Sequence, residues 1–423
     1  MRHSDIHTSR TFKVNGIVAE YNPFHNGHSY QLRDAKEQSG ADYTIVAMSG
    51  NFMQRGTPAI LDKYRRAEMA LRNGADLVLE LPALYSASSA EYFATGAVTL
   101  LDKLGVVDFL CFGSECGDLH TLQQIADILL EEPEGYTVLL QQYLRNGLSY
   151  PMARTSALVQ YCPSLSPHQN VLSRANNILG IEYLKAIRRR ESSMQPVTTV
   201  RGFSDYHDRM MGKYQSSALA LRQAVYANNG DVQMLASQMP ETAFAVLDNA
   251  LSDRHPMELN DFSALMHYKL LLEADKGYTA YLDVSEELSD RIRNHLYDFT
   301  NFRAFCDLLK TKNMTYSRIS RCLMHILLNI TVTDMEQYRA ADPIKYARVL
   351  GFRRDAEELL GAIKETACIP LLTKLADAEQ VLDEAGYALF KKELLRNAVY
   401  ESTAAIKAGC PMVSEYRSPL VII

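Results

Sequence analysis

The stretch Gly16-Ile17-Val18-Ala19-Glu20-Tyr21-Asn22-Pro23-Phe24-His25-Asn26-Gly27-His28-Ser29-Tyr30-Gln31 decides how the chain folds. It opens as an apolar run, breaks at Asn22-Pro23 and continues with helical spacing, so a strand ends and a helix begins inside it. From Lys13 to Ser114 the same alternation repeats. Val14 to Glu20, Tyr43 to Met48, Leu77 to Leu81 and Val106 to Phe112 read as strands. Asn26 to Gln38, Leu61 to Asn73 and Ser88 to Leu104 read as helices. Short apolar strands separated by helices of this length form βαβ units around a parallel sheet buried on both faces. The fold class expected is α/β, with a Rossmann-like, doubly wound N-terminal domain.

Further along, Thr121 to Leu130, Thr137 to Arg145 and Met152 to Gln160 carry apolar residues at helical spacing, and Val197 to Arg201 reads as one more strand of the sheet. A helix begins near Ser216. Beyond about residue 230 the chain reads as helices with no convincing strand series, punctuated by Pro240, Pro256, Gly277, Pro343 and Gly351. The expected division is residues 1–230 as a catalytic domain and 231–423 as a separate α-helical domain.

Composition narrows the function. The 423 residues are 47% hydrophobic and 22% charged, which fits a globular protein and excludes disorder or a fibre. With 44 Lys and Arg against 50 Asp and Glu, the net charge of −6 argues against non-specific duplex DNA binding, so a nucleic-acid surface must be a local patch. No apolar run approaches the roughly 20 residues that span a bilayer, and Met1 to Lys13 is polar, so a cytoplasmic protein without membrane contact is expected. The seven Cys, at 111, 116, 162, 306, 322, 368 and 410, include no CxxC pair and read as reduced thiols.

The chemistry centres on His25-Asn26-Gly27-His28, where the first strand gives way to the first helix. A helix N-terminus offers unpaired N–H groups and the positive end of a dipole, which suits a phosphate. Two imidazoles one turn apart can donate to the same phosphoryl oxygens, with Gly27 keeping the space between them open. The structural alternative is a pair of ordinary histidines at a helix cap. HxxH spacing also permits a metal, but no third ligand is evident nearby, and no metal site is expected. Later, Gln215-Ser216-Ser217-Ala218-Leu219-Ala220-Leu221-Arg222 opens a helix after the last strand. Its hydroxyls and amides suit β- and γ-phosphates, with Arg222 adding charge; plain capping by Ser216 and Ser217 is the alternative.

The first motif resembles the HxGH signature of the nucleotidylyltransferase and class I aminoacyl-tRNA synthetase superfamily. The second resembles its ISSTxxR element, with Gln and Ala in place of Ile and Thr. AEYNPFHNGH (19–28), MSGNFMQRGTPA (48–59), KYRRAEMAL (63–71), GADLVLELP (74–82), FGSECGD (112–118), NNILGIEYL (176–184), YHD (206–208) and TKNMTYSRISRCLMHILL (311–328) together resemble the bacterial tRNA(Met) cytidine acetate ligase family. That resemblance implies ATP, accompanied by Mg²⁺, and acetate as substrates, acetyl-adenylate as intermediate, and N4-acetylcytidine at the wobble position of elongator tRNA(Met) as product. It implies an ATP site made of Val18 to Gln31 with Gly113, Asn176 and Arg201, and Ser216, Ser217 and Arg222 from the second motif. His25 and His28 would be catalytic.

Several residues read two ways. Gly113 is either a site of close ligand approach or a turn glycine, and Asn176 either reads adenine or ribose or caps a helix. Glu20 either holds Mg²⁺ or pairs with a cation. Gln54 and Arg55 face phosphates, tRNA or solvent. Asp205, His207 and Asp208 read first as hydrogen-bonding groups of their loop. Between Asn301 and His325 five Lys or Arg stand against one acid, so Lys310, Lys312, Arg318 and Arg321 are tRNA-binding candidates, with Tyr316 placed to stack on a base. Arg188-Arg189-Arg190 is a second basic run; for both, a solvated charged face is the alternative. The competing functions are a nucleotidylyltransferase adenylating a small phosphorylated acceptor and a non-catalytic ATP- or RNA-binding protein.

Overall fold

The structure, a computed structural model, describes residues 10–200, 216–228, 230–253, 255–340 and 342–423. The first part of the chain runs β1 (Val14–Ala19), α1 (Asn26–Ser39), β2 (Tyr43–Ser49), β3 (Phe52–Met53), β4 (Thr57–Pro58), α2 (Lys63–Leu71), β5 (Leu77–Leu81), α3 (Ala83–Ser86), α4 (Ala90–Asp102) and β6 (Phe109–Ser114). It continues with α5 (Leu119–Glu131), α6 (Glu134–Arg145), α7 (Tyr150–Tyr161), α8 (Ala175–Arg189), β7 (Gln195–Val200) and α9 (Ala218–Ala227). Then come α10 (Glu241–Asp253), α11 (Ser263–Glu273), α12 (Glu286–Asn294), α13 (Phe302–Leu309), α14 (Tyr316–Leu327) and α15 (Val332–Ala340). The chain closes with β8 (Ala347–Phe352), α16 (Glu357–Thr366), β9 (Leu371–Leu372), α17 (Ala378–Val381), α18 (Glu384–Ala408) and β10 (Val421–Ile422).

The main sheet has the order β10-β8-β5-β2-β1-β6-β7, with β9 beside β8. The five strands from β5 to β7 are mutually parallel, as the alternation of strands and helices predicts. Period-2 geometry sends successive residues to opposite faces, and both faces are apolar. Ile45 and Ala47 of β2 pack in one core with Leu101 of α4 and Leu184 of α8. Val46 and Met48 pack in the other with Leu32 of α1, Ala67 of α2 and Leu221 of α9.

The C-terminal region is mostly helical, but the expectation of a strand-free, separate helical domain is corrected. β8 pairs antiparallel with β5, and β9 and β10 extend that edge. Leu323 of α14 and Phe390 of α18 belong to the same core as the N-terminal strands. The strands escaped the sequence reading because β8 is interrupted by Arg348 and Gly351, residues that look like surface and turn, and β9 and β10 are two residues each.

Arg348 sits in a buried ion network. The Lys63 ammonium lies 2.7 Å from Glu80 Oε1 and also contacts Glu415, while Arg348 reaches Glu80 at 3.1 Å and Glu415 at 2.9 Å. Buried charges persist only when paired in this way. Two strands, α2 and the C-terminal segment are thereby fastened together. A second buried set joins Glu393 and Arg396 of α18, at 2.6 Å, to Asp334 of α15, with Arg396 3.2 Å from Asp334. Glu393 also accepts the Ala83 N–H at the start of α3, at 2.7 Å. All seven cysteines are free thiols.

Burial alone raises the Glu415 pKa, but the Lys63 and Arg348 charges outweigh it and hold the carboxyl below its ordinary range. A carboxylate depressed in the folded state stabilises the fold above its unfolded value, about 4.3, and that contribution is lost as pH falls through the folded value. The thermal midpoint gap between the native protein and Glu415→Gln is therefore expected to be widest near neutrality and to close below about pH 4. A gap independent of pH, in melts run from pH 3 to 8, would contradict this.

Candidate active site

Strand order reverses between β1 and β6, and in open α/β sheets the crevice at the carboxyl ends of such strands is where ligands bind. Here it is a cleft of about 1170 Å³, part of it open to solvent. The end of β1 contributes Val18 and Ala19, followed by Glu20, Tyr21 and Asn22, and β6 contributes Phe112 and Gly113. His25, His28 and Gln31 come from the start of α1, Asn176, Leu179 and Tyr183 from α8, and Ser217, Ala218, Leu219 and Arg222 from α9. Met53, Gln54, Arg55 and Thr57 close one side.

The two histidines form a reciprocal cap. His25 is the N-cap of α1, and its Nδ1 accepts the Gly27 N–H at 3.1 Å. His28 Nδ1 accepts the His25 N–H at 3.2 Å. This is the geometry of a capping box with imidazoles in place of hydroxyl and carboxylate. The rings stack at 3.7 Å, inclined by 21°. Because both Nδ1 atoms accept, each neutral ring carries its proton on Nε2, as a donor. A Cβ on Gly27 would stand 2.9 Å from His25 Cε1, so only glycine leaves the ring in place. Behind the pair, Tyr21 meets His28 edge-on at 4.9 Å, and Tyr21 itself holds a φ of 47°.

Arg66 of α2 fixes the loops that carry these groups. Its side chain is fully buried and donates to the carbonyls of Glu20 at 2.7 Å, Ser49 at 3.1 Å and Leu61 at 3.1 Å, and to that of Gly50. Burial lowers its pKa, yet the group stays a cation in the physiological range. Nearby, Asn22 accepts the Ile60 N–H at 2.8 Å, and Arg222 donates to the Asn22 carbonyl. The Glu20 carboxylate accepts the Gln54 N–H at 2.9 Å, which ties the β3–β4 loop to the end of β1.

Other candidates divide. Ser217 both caps α9, accepting the Ala220 N–H at 3.1 Å, and lines the cleft, so its two readings are compatible. Ser216 is buried beside it but outside the lining. Within the 18–31 stretch, Pro23, Phe24, Asn26, Gly27, Ser29 and Tyr30 also stand outside the lining. Phe24 is core, the Asn26 amide donates to the Ser237 carbonyl at 3.0 Å, and Tyr30 is exposed. Arg201, Asp205, His207, Asp208 and Gln215 lie outside the described residues.

In the basic segment Lys310, Lys312 and Arg318 are exposed, whereas Arg321 is half-buried, 3.5 Å from Asp283. Tyr316 packs against the core rather than standing free to stack, and burial pushes its hydroxyl pKa up. The segment adjoins the cleft. Gly56, with a φ of 68°, packs so tightly on α14 that a Cβ would lie 2.4 Å from the Arg321 backbone nitrogen, and its carbonyl accepts the Ser320 hydroxyl at 2.8 Å. The run Arg188, Arg189 and Arg190 is paired with Asp127, Glu91 and Asp102, as a charged surface would be.

The sequence reading missed Arg66, Gly56 and Glu115. A signal existed for Arg66: with Lys63, Ala67 and Ala70 it falls on one helical stripe, which places a charge on the buried face of α2. Removing it leaves several carbonyls unpaired. Arg66→Leu is expected to destabilise the fold by at least about 3 kcal/mol, read by denaturant unfolding, and a loss below about 1 kcal/mol would contradict its role.

The sequence matches the family described as HIGH Nucleotidyl Transferase over residues 12–409. It is 41% identical over 404 residues to the tRNA(Met) cytidine acetate ligase of Acetivibrio thermocellus, covering 94% of this chain and 97% of that protein. It is 39% identical to the protein of the same name from Thermoanaerobacter sp. strain X514, covering 96% and 98%. The crystal structure of apo Thermotoga maritima TmcAL, 31% identical, superposes with a TM-score of 0.90 over 97% of this chain and 99% of that one. The form of that protein bound with alpha-thio ATP, 32% identical, gives 0.86 over the same shares. The chain belongs to the HIGH nucleotidyl transferase family and, within it, to the tRNA(Met) cytidine acetate ligases.

Proposed function

We propose that this chain is an ATP-dependent tRNA-modifying ligase that activates acetate as acetyl-adenylate and moves the acetyl group to the wobble cytidine of elongator tRNA(Met). The observation that carries the reading is the imidazole cap at the strand-order reversal, two Nε2–H donors held together at a helix N-terminus. Among the described lining residues Arg55 and Arg222 are set against one carboxylate, Glu20, and with the two imidazole donors this suits a polyanion.

In the first step an acetate oxygen attacks the α-phosphorus, the bond to the bridging oxygen breaks and pyrophosphate leaves. Acetate is already ionised at neutral pH, so the step needs no general base. The work left to the protein is positioning and stabilisation of charge on the phosphoryl oxygens, by His25, His28, Arg222 and the N–H groups at the start of α9. In the second step the cytosine N4 attacks the acetyl carbonyl, AMP leaves and the amine gives up a proton. That nitrogen is a weak nucleophile because its lone pair is delocalised, so the mixed anhydride supplies the driving force.

Mg²⁺ would enter with the triphosphate, held mainly by phosphate oxygens and water with Glu20 the nearest protein carboxylate; no cluster of three ligating side chains occurs among the described residues. Lys310, Lys312 and Arg318, all exposed, and the half-buried Arg321 serve the tRNA, because α14 abuts the cleft loop through Gly56 and cations there meet the RNA backbone. Residues 1–230 thus carry ATP and acetate chemistry, and 231–423 bring the tRNA. The described residues include no helix long and apolar enough to cross a membrane, and we place the reaction in the cytoplasm with its tRNA.

His28→Ala is expected to lower acetate-dependent pyrophosphate exchange about 10²–10³-fold while costing only the roughly 1 kcal/mol of stability that loss of a helix cap removes. Normal exchange in that variant, or exchange in the native protein that ignores acetate, would refute the reading. Lys312→Glu with Arg318→Glu should preserve exchange, weaken tRNA binding and lower its salt slope by about 2. An unaltered slope would remove this segment from the docking surface.

A further inference from the structure

At His25 and His28 backbone N–H groups meet the Nδ1 atoms. At His325 of α14 the polarity is reversed. This imidazole is fully buried, and each of its nitrogens faces a carbonyl oxygen. Nδ1 lies 2.8 Å from that of Leu282, in the segment before α12, and Nε2 lies 2.8 Å from that of Ala87, at the end of α3. A carbonyl oxygen only accepts, so a ring nitrogen without a proton would set two lone pairs against each other at this distance. A neutral imidazole carries one N–H and satisfies one of the two carbonyls. Only the imidazolium, a donor at both ends, satisfies both.

The two carbonyls belong to different parts of the fold. Ala87 closes α3, where helix carbonyls lack an intrahelical donor, and stands two residues before Ser89, the N-cap of α4, whose Phe93 lines the cleft. The Leu282 N–H donates to the Ile330 carbonyl at 3.0 Å, and the Ile330 N–H donates to the His325 carbonyl at 2.9 Å. Helix α14 thus reaches the cleft wall twice, by the Ser320 hydroxyl on Gly56 and by the His325 ring on Ala87. The hydroxyl contact is indifferent to pH, whereas the double contact of the ring depends on its charge.

Burial alone pushes the His325 pKa down. Both carbonyls and the Asp283 carboxylate act the other way, and Arg321, which lies 3.5 Å from Asp283, opposes them. The Cys322 thiol, in contact with the Asp283 carbonyl, is kept neutral by burial, which pushes its pKa up to about 12. Ala87, Ser88 and Ser89 bring no charge. The geometry decides the balance, because a neutral ring would leave a buried carbonyl facing a lone pair, and the low dielectric makes that conflict costly.

We propose that His325 is a buried imidazolium that latches α14 to the wall of the cleft, and that loss of its proton releases one of the two carbonyls, which makes the joint between cleft and basic helix pH-sensitive. A ring whose charged form is favoured by folding stabilises the protein below its unfolded value, about 6.5, and that contribution is lost as pH rises through the folded value.

The test is NMR of the full chain labelled at its histidines, with His325→Gln identifying the resonance. The ring is expected to carry protons on both nitrogens at neutral pH. In paired melts the thermal midpoint gap between the native protein and His325→Gln is expected to be widest near pH 6 and to close toward about pH 9. A ring protonated on one nitrogen at neutral pH, or a gap that is constant or widens as pH rises, would overturn the proposal. Should His325→Gln fail to fold, Asp283→Asn takes its place: removing the anion must move one histidine titration to lower pH, and a set of histidine titrations that stays where it was overturns the proposal too.

Discussion

A buried guanidinium holds the working edge of the sheet together. Arg66 gathers the carbonyls of Ser49 at the end of β2, of Glu20 and Gly50 just past β1 and β2, and of Leu61 on the approach to α2. Strand ends at a crevice have carbonyls with no ladder partner, and they need either water or a donor. Supplying the donor from a helix interior keeps the loops rigid and leaves the solvent side of the cleft free for a ligand. The backbone beyond Glu20 then has little freedom, and Tyr21, Asn22 and the histidine cap are built on it.

The cleft so formed is electrically asymmetric. Imidazole Nε2–H groups, Arg222 and the N-termini of α1 and α9 make one end attractive to phosphate, while Glu115 occupies the N-terminus of α8 at the other. A mononucleotide is itself asymmetric, neutral at the base and anionic at the tail. The β3–β4 loop closes the side nearest α14, and Gly56 lets that helix approach backbone to backbone. The C-terminal region therefore packs against the loop that closes one side of the cleft.

Much of this was legible in the residues. The parallel sheet followed from apolar runs such as Tyr43 to Met48, because a strand buried on both faces leaves no polar alternation. The histidine pair was visible from its place at a strand–helix junction. What stayed hidden depended on contacts between distant segments. Arg348 makes a buried strand residue only because Glu80 and Glu415, far away in sequence, neutralise it. Glu115 carried no signal of its own, since its hydrogen-bond partners are Asn176 and Asn177, sixty-odd residues later. Tyr316 read as a free aromatic because no local pattern reveals that α13 covers it with Cys306. Local periodicity reports burial, and partners of buried charges are a tertiary property.

The central claim is that the stacked imidazoles grip the polyphosphate of a bound nucleotide. A crystal of this protein grown with a non-hydrolysable ATP analogue tests it most directly. The account predicts phosphate oxygens within hydrogen-bond distance of Nε2 of His25 and His28, beside the start of α9, with the adenosine toward Asn176. Histidine rings making no contact with the ligand would contradict it.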